Sequence, residues 1–260
     1  MLVRLRLVGG RVTAASFRSL GEVSARFGDG QVYVTTRANL QVRALPGDGV
    51  HLTHEALMAL EGTGLLPTRT HELVRNIMVS PLSGISGGRC DLGPVAAALD
   101  GLVCGNPALA TLPARFLFVL DDGRGDLLDR SCDLGLVALD ADVCQLRIGN
   151  AWGPVVPLAA APSHLAHLAD QFVAGRGTGP TAPWHVAELA EPLARASAPD
   201  QRLPIAVPPI AYGVVPGGRH LPVPETGLDL ESIRRITART ETLVVTPWRG
   251  IIVPGEASHA

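Results

Sequence analysis

Five arginines stand beside turns or at the ends of apolar runs: Arg4, Arg6, Arg37, Arg75 and Arg115. A guanidinium presents its donors in a fixed fork that matches a carboxylate. Arginines grouped around one cavity therefore hold polycarboxylate ligands through charge-assisted, often bidentate bonds. Arg4 and Arg6 occupy positions i and i+2 of an apolar stretch read as a strand, which turns both side chains to one face. The alternative is a solvated strand edge, where cations also discourage edge pairing. The run Thr35-Thr36-Arg37-Ala38-Asn39-Leu40-Gln41 gathers donors of different lengths at one corner. Such a corner suits an anion with several oxygens better than a plain turn does. Asn39, Gln41 and Asn76 are lesser candidates, and hydrogen bonding within turns and at strand ends is the alternative for them.

The other residue types narrow the chemistry. Cys90, Cys104, Cys132 and Cys144 are separated by 14, 28 and 12 residues. None makes the tight pair that zinc or an iron-sulfur cluster favours, so reduced thiols are expected and no metal site. All 22 basic residues are arginine and the formal net charge is −2. A basic surplus that would suggest a nucleic-acid partner is missing. The N-terminus opens inside an apparent strand with no apolar signal region, and no apolar run reaches the roughly 20 residues needed to cross a bilayer. The expectation is a cytoplasmic protein with no membrane partner. With 47% hydrophobic and 18% charged residues over 260 positions, the chain has room for two or three small modules around sizeable cores.

The elements that must position these residues come in duplicate. One copy runs from Arg4-Leu5-Arg6-Leu7-Val8-Gly9-Gly10 through an amphipathic helix to Val34-Thr35-Thr36-Arg37-Ala38-Asn39-Leu40-Gln41-Val42. The other runs from Tyr212-Gly213-Val214-Val215-Pro216-Gly217-Gly218 through a helix to Val245-Thr246-Pro247-Trp248-Arg249-Gly250-Ile251-Ile252-Val253, 208 to 211 residues later. Each reads as strand, Gly-Gly turn, helix and two strands around a threonine corner. A repeat interrupted by a different segment predicts a pseudo-twofold arrangement in which each copy completes the other's sheet. Thr13, Thr53 and Asp229 are placed to cap helices, as is Asp91 after the Gly-rich loop 83–88. Arg115–Leu120 reads as a strand closed by Asp121-Asp122-Gly123, and Leu134–Leu139 with Val143–Ile148 as a hairpin. Ser163 can start a helix running through Phe172. Prolines interrupt 181–202, where one helix over His185–Ala194 is expected.

Four segments then acquire a family look: Arg4-Leu5-Arg6-Leu7-Val8-Gly9-Gly10, Thr35–Gln41, Arg75-Asn76-Ile77-Met78-Val79-Ser80-Pro81-Leu82-Ser83-Gly84-Ile85, and Thr246-Pro247-Trp248-Arg249-Gly250. The chain resembles the nitrite and sulfite reductase superfamily over nearly its whole length. Leu112–Gly123 and Thr246–Gly250 are most similar to its precorrin-3B synthase branch, the oxygenase of aerobic cobalamin biosynthesis. The resemblance implies an α+β fold, with two ferredoxin-like half-domains (1–62 and 203–256) in pseudo-twofold arrangement flanking one nitrite/sulfite reductase-type domain (68–180). A Pro/Ala-rich connector, 181–202, precedes the second half-domain.

The resemblance also implies that Arg4 or Arg6, Arg37, Arg75 and Arg115 line a tetrapyrrole cavity, with Asn39, Gln41 and Asn76 beside them. In the family, iron or sirohaem and a [4Fe-4S] cluster carry the redox chemistry. The branch uses O2 and reducing equivalents to hydroxylate precorrin-3A and close a lactone. This sequence departs from the family in two ways. Leu117 replaces the second member of a basic pair found in sulfite reductases, and the close cysteine pairs that bind the cluster are missing. The expectation is an oxidoreductase-type cradle for an anionic tetrapyrrole, precorrin-3A, incomplete without its cluster domain. A non-catalytic tetrapyrrole-binding homologue, or a subunit that pairs with a separate cluster-bearing chain, and a sulfite or nitrite reductase fragment are the alternatives.

Overall fold

In the computed structural model, which describes residues 1–255, the chain divides into two compact units: Met1–Glu72 with Ile210 onward, and Leu73–Pro209. In chain order, the first stretch carries β1 (Val3–Leu5), β2 (Arg11–Thr13), α1 (Ala14–Phe27), β3 (Val32–Val34), β4 (Leu40–Val42) and α2 (His54–Glu61). The middle stretch carries β5 (Ile77–Val79), α3 (Gly93–Gly105), β6 (Phe118–Asp121), β7 (Leu134–Ala138), β8 (Val143–Ile148), β9 (Ala151–Pro157) and α4 (Ala161–Arg176). The last carries β10 (Gly213–Val215), β11 (Gly218–Pro222), α5 (Leu230–Ile236), β12 (Thr242–Thr246) and β13 (Gly250–Pro254). Residue 256, the predicted end of the second half-domain, lies outside the described residues.

The first unit is the duplicated one. Among the described residues it holds a three-stranded sheet, β1-β4-β3, and a five-stranded sheet, β10-β11-β13-β12-β2. The predicted sharing of sheets is present: β2 of the first copy pairs antiparallel with β12 of the second through Val12↔Leu243. One hydrophobic core joins the copies, with Leu5, Phe17, Leu20 and Leu40 packed in the same cluster as Ile233, Val245 and Ile251. The two helices cross closely. A Cβ on Gly21 of α1 would lie 3.0 Å from both Ile233 Cδ1 and Leu230 Cδ1 of α5. The helix starts follow the predicted caps. Thr13 Oγ1 accepts from Ser16 N, Thr53 Oγ1 from Ala56 N, and Asp229 Oδ1 from Ser232 N.

The second unit is built on one mixed sheet of order β5-β6-β7-β8-β9, parallel from β5 to β7 and antiparallel beyond. β6 and β7 are buried at every position, as strands covered on both faces must be. α3 and α4 pack together, and Phe172 of α4 packs at a tilt against Phe116, which contacts Phe118 edge-on.

Three sequence expectations are corrected here. α3 begins after Leu92, and Asp91 instead accepts from Gly93 N one residue early. The helix expected over His185–Ala194 is a single 3-10 turn, Val186–Glu188, in keeping with the prolines around it. The 181–202 segment also does not stand apart as a bare connector. It belongs to the second unit, where Gln145 of β8 donates to Ala198 O and accepts from Asp200 N, and Val186 N donates to Asp133.

Candidate functional site

Register brings the first-unit candidates together. β4 lies between β1 and β3, so Gln41 faces Arg4 on one side and Tyr33 on the other. Arg43 follows Gln41 by two residues, and a strand turns i and i+2 to the same face. Its guanidinium sits 3.7 Å over the Tyr33 ring, a cation–π contact that fixes the charge without neutralising it. The Gln41 amide lies between the arginines and bonds Arg43. With its oxygen toward Arg43 it accepts from Nε at 2.7 Å and Nη2 at 3.2 Å, and its other end lies 3.5 Å from Arg4 Nη2. The Tyr33 hydroxyl donates to Asp29 at 2.8 Å, and that carboxylate holds the phenol above its usual pKa.

The second copy supplies the opposite wall. Val223, Pro224, Glu225 and Arg249 close a recess of 210 Å³ against Arg4, Thr36, Gln41 and Arg43. Arg249 pairs with Glu225 at 2.9 Å, leaving the recess with an excess of cations. Its volume falls below the roughly 300–1,000 Å³ of a pocket for a drug-sized ligand, so it fits a carboxylate arm and not a whole macrocycle.

The corner that flanks the recess occurs twice, with the same geometry. Thr35 Oγ1 accepts from Asn39 N at 3.2 Å, and Thr246 Oγ1 accepts from Gly250 N at 3.1 Å. The residue before each amide is left-handed, Ala38 at φ 56° and Arg249 at φ 57°. The copies diverge in what fills the corner. In the first, Asn39 Oδ1 accepts from Leu7 N at 3.0 Å. In the second, Gly250 has no side chain, and the buried His220 ring occupies the space: a Cβ there would lie 2.1 Å from His220 Nε2. His220 Nδ1 faces the carbonyls of Ile210 and Ala211 and must donate, so Nε2 accepts from the Thr246 hydroxyl at 3.0 Å. Burial lowers the imidazole pKa and favours that neutral form.

The remaining candidates have other surroundings. Arg6 is only 5% exposed whereas Arg4 is exposed, so the two form no paired cationic surface. Arg37 is half-buried, and its N–H donates to Thr35 Oγ1. Asn39 is spent on the corner. In the second unit, Arg75 is buried and clamps Asp100 of α3 in a bidentate pair at 2.8 and 2.9 Å. Asn76 donates to the carbonyls of Ala114 and Phe116. Arg115 is exposed and precedes β6, in a turn closed by Phe116 N to Pro113 O. The strand therefore starts three residues later than expected. Leu117 is buried, and its N–H donates to Asp133.

Sequence reading missed Arg43, Tyr33 and Arg249 as members of the site. The Gln41-Val42-Arg43 alternation held a signal for Arg43, and the Thr246–Gly250 segment already contained Arg249. It also missed a buried polar centre at the end of β6. Asp121 accepts from the N–H groups of Gly123, Gly125 and Leu127, and Ser80 Oγ donates to Asp126 Oδ1 at 2.7 Å. Asp126 Oδ2 is buried without a hydrogen-bond partner, and burial pushes that carboxyl up to about 7.

The thiols do not fit a cluster. Cluster ligation needs four cysteine sulfurs around one point, whereas burial, which pushes Cys90 and Cys132 up to about 11 and Cys144 up to about 12, fits reduced structural thiols. No group of three or more His, Cys, Asp or Glu is arranged to hold a metal among the described residues. No described helix is long and apolar enough to cross a membrane.

The family model of the nitrite/sulfite reductase ferredoxin-like half domain matches residues 1–60. Ferredoxin–nitrite reductase of Leptolyngbya laminosa is 30% identical over 44% of this chain and 23% of its own length. That of Synechococcus elongatus is 32% identical over 47% of this chain and 25% of its own. The chain thus spans about a quarter of the curated relatives it matches. The Mycobacterium tuberculosis NirA protein shares the fold with a TM-score of 0.70 and 21% identity, over 97% of this chain and 53% of that one. Residues 1–60 thus match the nitrite/sulfite reductase ferredoxin-like half domain, and part of the chain is similar to two ferredoxin–nitrite reductases.

Proposed function

We propose that the first unit holds a carboxylate arm of an anionic tetrapyrrole, as part of an oxidoreductase of the precorrin-3B synthase type acting on precorrin-3A in cobalamin biosynthesis. The observation that carries this reading is the recess in which Arg4, Arg43 and Arg249, from both copies, stand around Gln41 with Glu225 as the acid on its wall. Arg43 is held by Tyr33 and Gln41 and presents its free edge in one orientation, so little conformational freedom is lost when a carboxylate docks. Arg4 adds an exposed cation. An iron centre would supply the redox chemistry. The chain's own groups bind and orient the tetrapyrrole. A [4Fe-4S] cluster finds no group of three or more ligating side chains among the described residues, so on this reading it belongs to a polypeptide segment beyond these residues or to a separate cluster-bearing chain.

A second reading rests on the matches to two ferredoxin–nitrite reductases: the same cradle would serve a nitrite or sulfite reductase that carries sirohaem. The two readings share the recess and differ in the ligand. Optical titration with sirohaem and with a metal-free carboxylated tetrapyrrole tests both. Arg4→Ala and Arg43→Ala are each expected to weaken binding about tenfold or more, the loss of one charge-assisted hydrogen bond. Equal affinity in wild type and both variants would sink the cradle. A marked preference for sirohaem over the metal-free compound would favour the second reading over the first.

A further inference from the structure

One guanidinium of the recess already holds a carboxylate. Glu225 Oε1 lies 2.9 Å from Arg249 Nη1. Both residues come from the second copy, whereas Arg4 and Arg43 come from the first. Glu225 therefore shows where a carboxylate sits on the second copy's wall.

The backbone that carries this pair is tied down at each end. Val223 N donates to Arg249 O at 2.9 Å, at the end of the β11–β13 ladder where Pro222 faces Gly250. Pro224–Gly227 is a tight turn closed by Gly227 N to Pro224 O at 3.0 Å, and Leu228 exchanges two hydrogen bonds of 2.9 Å with Val32 of β3. That turn is pressed onto the first copy. Gly227 has φ 88°, and a Cβ there would lie 3.0 Å from Gln31 Cβ and 3.1 Å from Val32 O. The two side chains are held less firmly. Glu225 is 86% exposed and Arg249 49%, and an ion pair so open to water is screened and contributes little. A carboxylate arriving from a ligand can displace Glu225 by rotation about its side-chain bonds, with the backbone unmoved.

We propose that Arg249 is the seat of a second carboxylate arm, and that Glu225 is the internal stand-in which this arm displaces. The inference rests on the reading that Arg4 and Arg43 hold one arm, and it specifies the ligand further: two carboxylate side chains on neighbouring positions of one pyrrole, one for each copy of the repeat. An arm that reaches Arg249 exchanges one ion pair for another. Glu225 thus weakens the hold on the second arm far more than on the first, and keeps Arg249 paired when no ligand is bound.

Two porphyrins of the same skeleton test this by fluorescence titration of the full chain. Uroporphyrin III carries an acetate beside a propionate on each pyrrole, and coproporphyrin III has a methyl in place of each acetate. Glu225→Gln is expected to tighten uroporphyrin III about three- to fivefold, the upper range for release of an exposed ion pair, and to change coproporphyrin III less than about 1.5-fold. In an Arg249→Ala background the same change at Glu225 should alter neither affinity. Both side chains are exposed, so these substitutions leave the fold intact. Equal gains for the two porphyrins, or a gain that persists without Arg249, would mean that Glu225 acts only through its charge at a distance, and absence of any gain would mean that it holds nothing back. Each of these results overturns the proposal. Arg43→Ala separates it from the reading beneath it. If that variant weakens both porphyrins while Glu225→Gln gives none of the expected pattern, the cradle stands and the second arm falls. If it weakens neither, the cradle falls and the second arm with it.

Discussion

A single side chain separates the two corners of the repeat. In one, Asn39 ties the corner to Leu7. In the other, Gly250 admits His220, whose ring accepts from Thr246 and lies tilted against Tyr212 with ring centres 4.7 Å apart. Gly250→Ala should therefore be unusually costly for so small a change, about 1–3 kcal/mol from overpacking. Adding His220→Ala should return part of the loss, and denaturant unfolding of the double-mutant cycle measures the coupling. Strictly additive losses would mean that the ring does not set the glycine. Asp126 makes a second prediction at this scale. Its folded pKa, about 7, lies above the ordinary 3.8, so between those values the unfolded chain sheds a proton that the folded chain keeps. Stability from this group is full below the unfolded pKa and is lost as pH rises through the folded one. Asp121, raised by burial, adds a contribution of the same sign. Asp200, held at about 2 by Arg202, loses its contribution only at lower pH. Asp126→Asn should flatten the fall in melting temperature between pH 4 and 7, and an unchanged slope would remove Asp126 as its source. None of this centre was legible in the sequence, because Asp121-Asp122-Gly123 signals a turn whether its carboxylates are solvated or buried.

Elements were legible where the signal was local and lost where register decided. The caps at Thr13, Thr53 and Asp229 lie next to the helices they start, and each was readable from a few residues. Arg75 shows the opposite case: a conspicuous arginine beside a strand suggested a ligand, but its partner, Asp100, comes 25 residues later on α3. The pair is nearly buried, with side-chain exposures of 6% and 20%. Removing one member leaves the other uncompensated, a loss of about 3–5 kcal/mol for buried pairs and nearer the lower figure here because Asp100 retains some solvent. Arg75→Ala should thus destabilise the fold by about 3 kcal/mol in urea unfolding, where a ligand-only role would leave stability unchanged. Register likewise explains the recess. Arg4 and Gln41 could be singled out from sequence, but that Tyr33 and Arg43 join them follows from β4 lying between β1 and β3, which no local pattern states.

On the scale of the molecule, the repeat was the most legible feature and its consequence is physical. Residues 1–72 and 210 onward form one unit although 137 residues of another unit separate them in sequence. Their core cannot be divided. Phe17 and Leu20 from the first copy share a cluster with Ile233, Leu243 and Val245 from the second, and β2 completes the second copy's sheet. A 72-residue piece deprived of that partner exposes apolar surface and an unpaired strand edge, and at this size it has little stability in reserve. The fragment 1–72 alone is therefore expected to give the poorly dispersed amide spectrum of an unfolded chain. Addition of the fragment 210–260 should restore dispersion with 1:1 stoichiometry, and Leu243→Asp in that second fragment should prevent it. A well-dispersed spectrum from 1–72 alone would show that each copy folds by itself, and that the joint core is a contact between finished domains instead of the means by which either is formed.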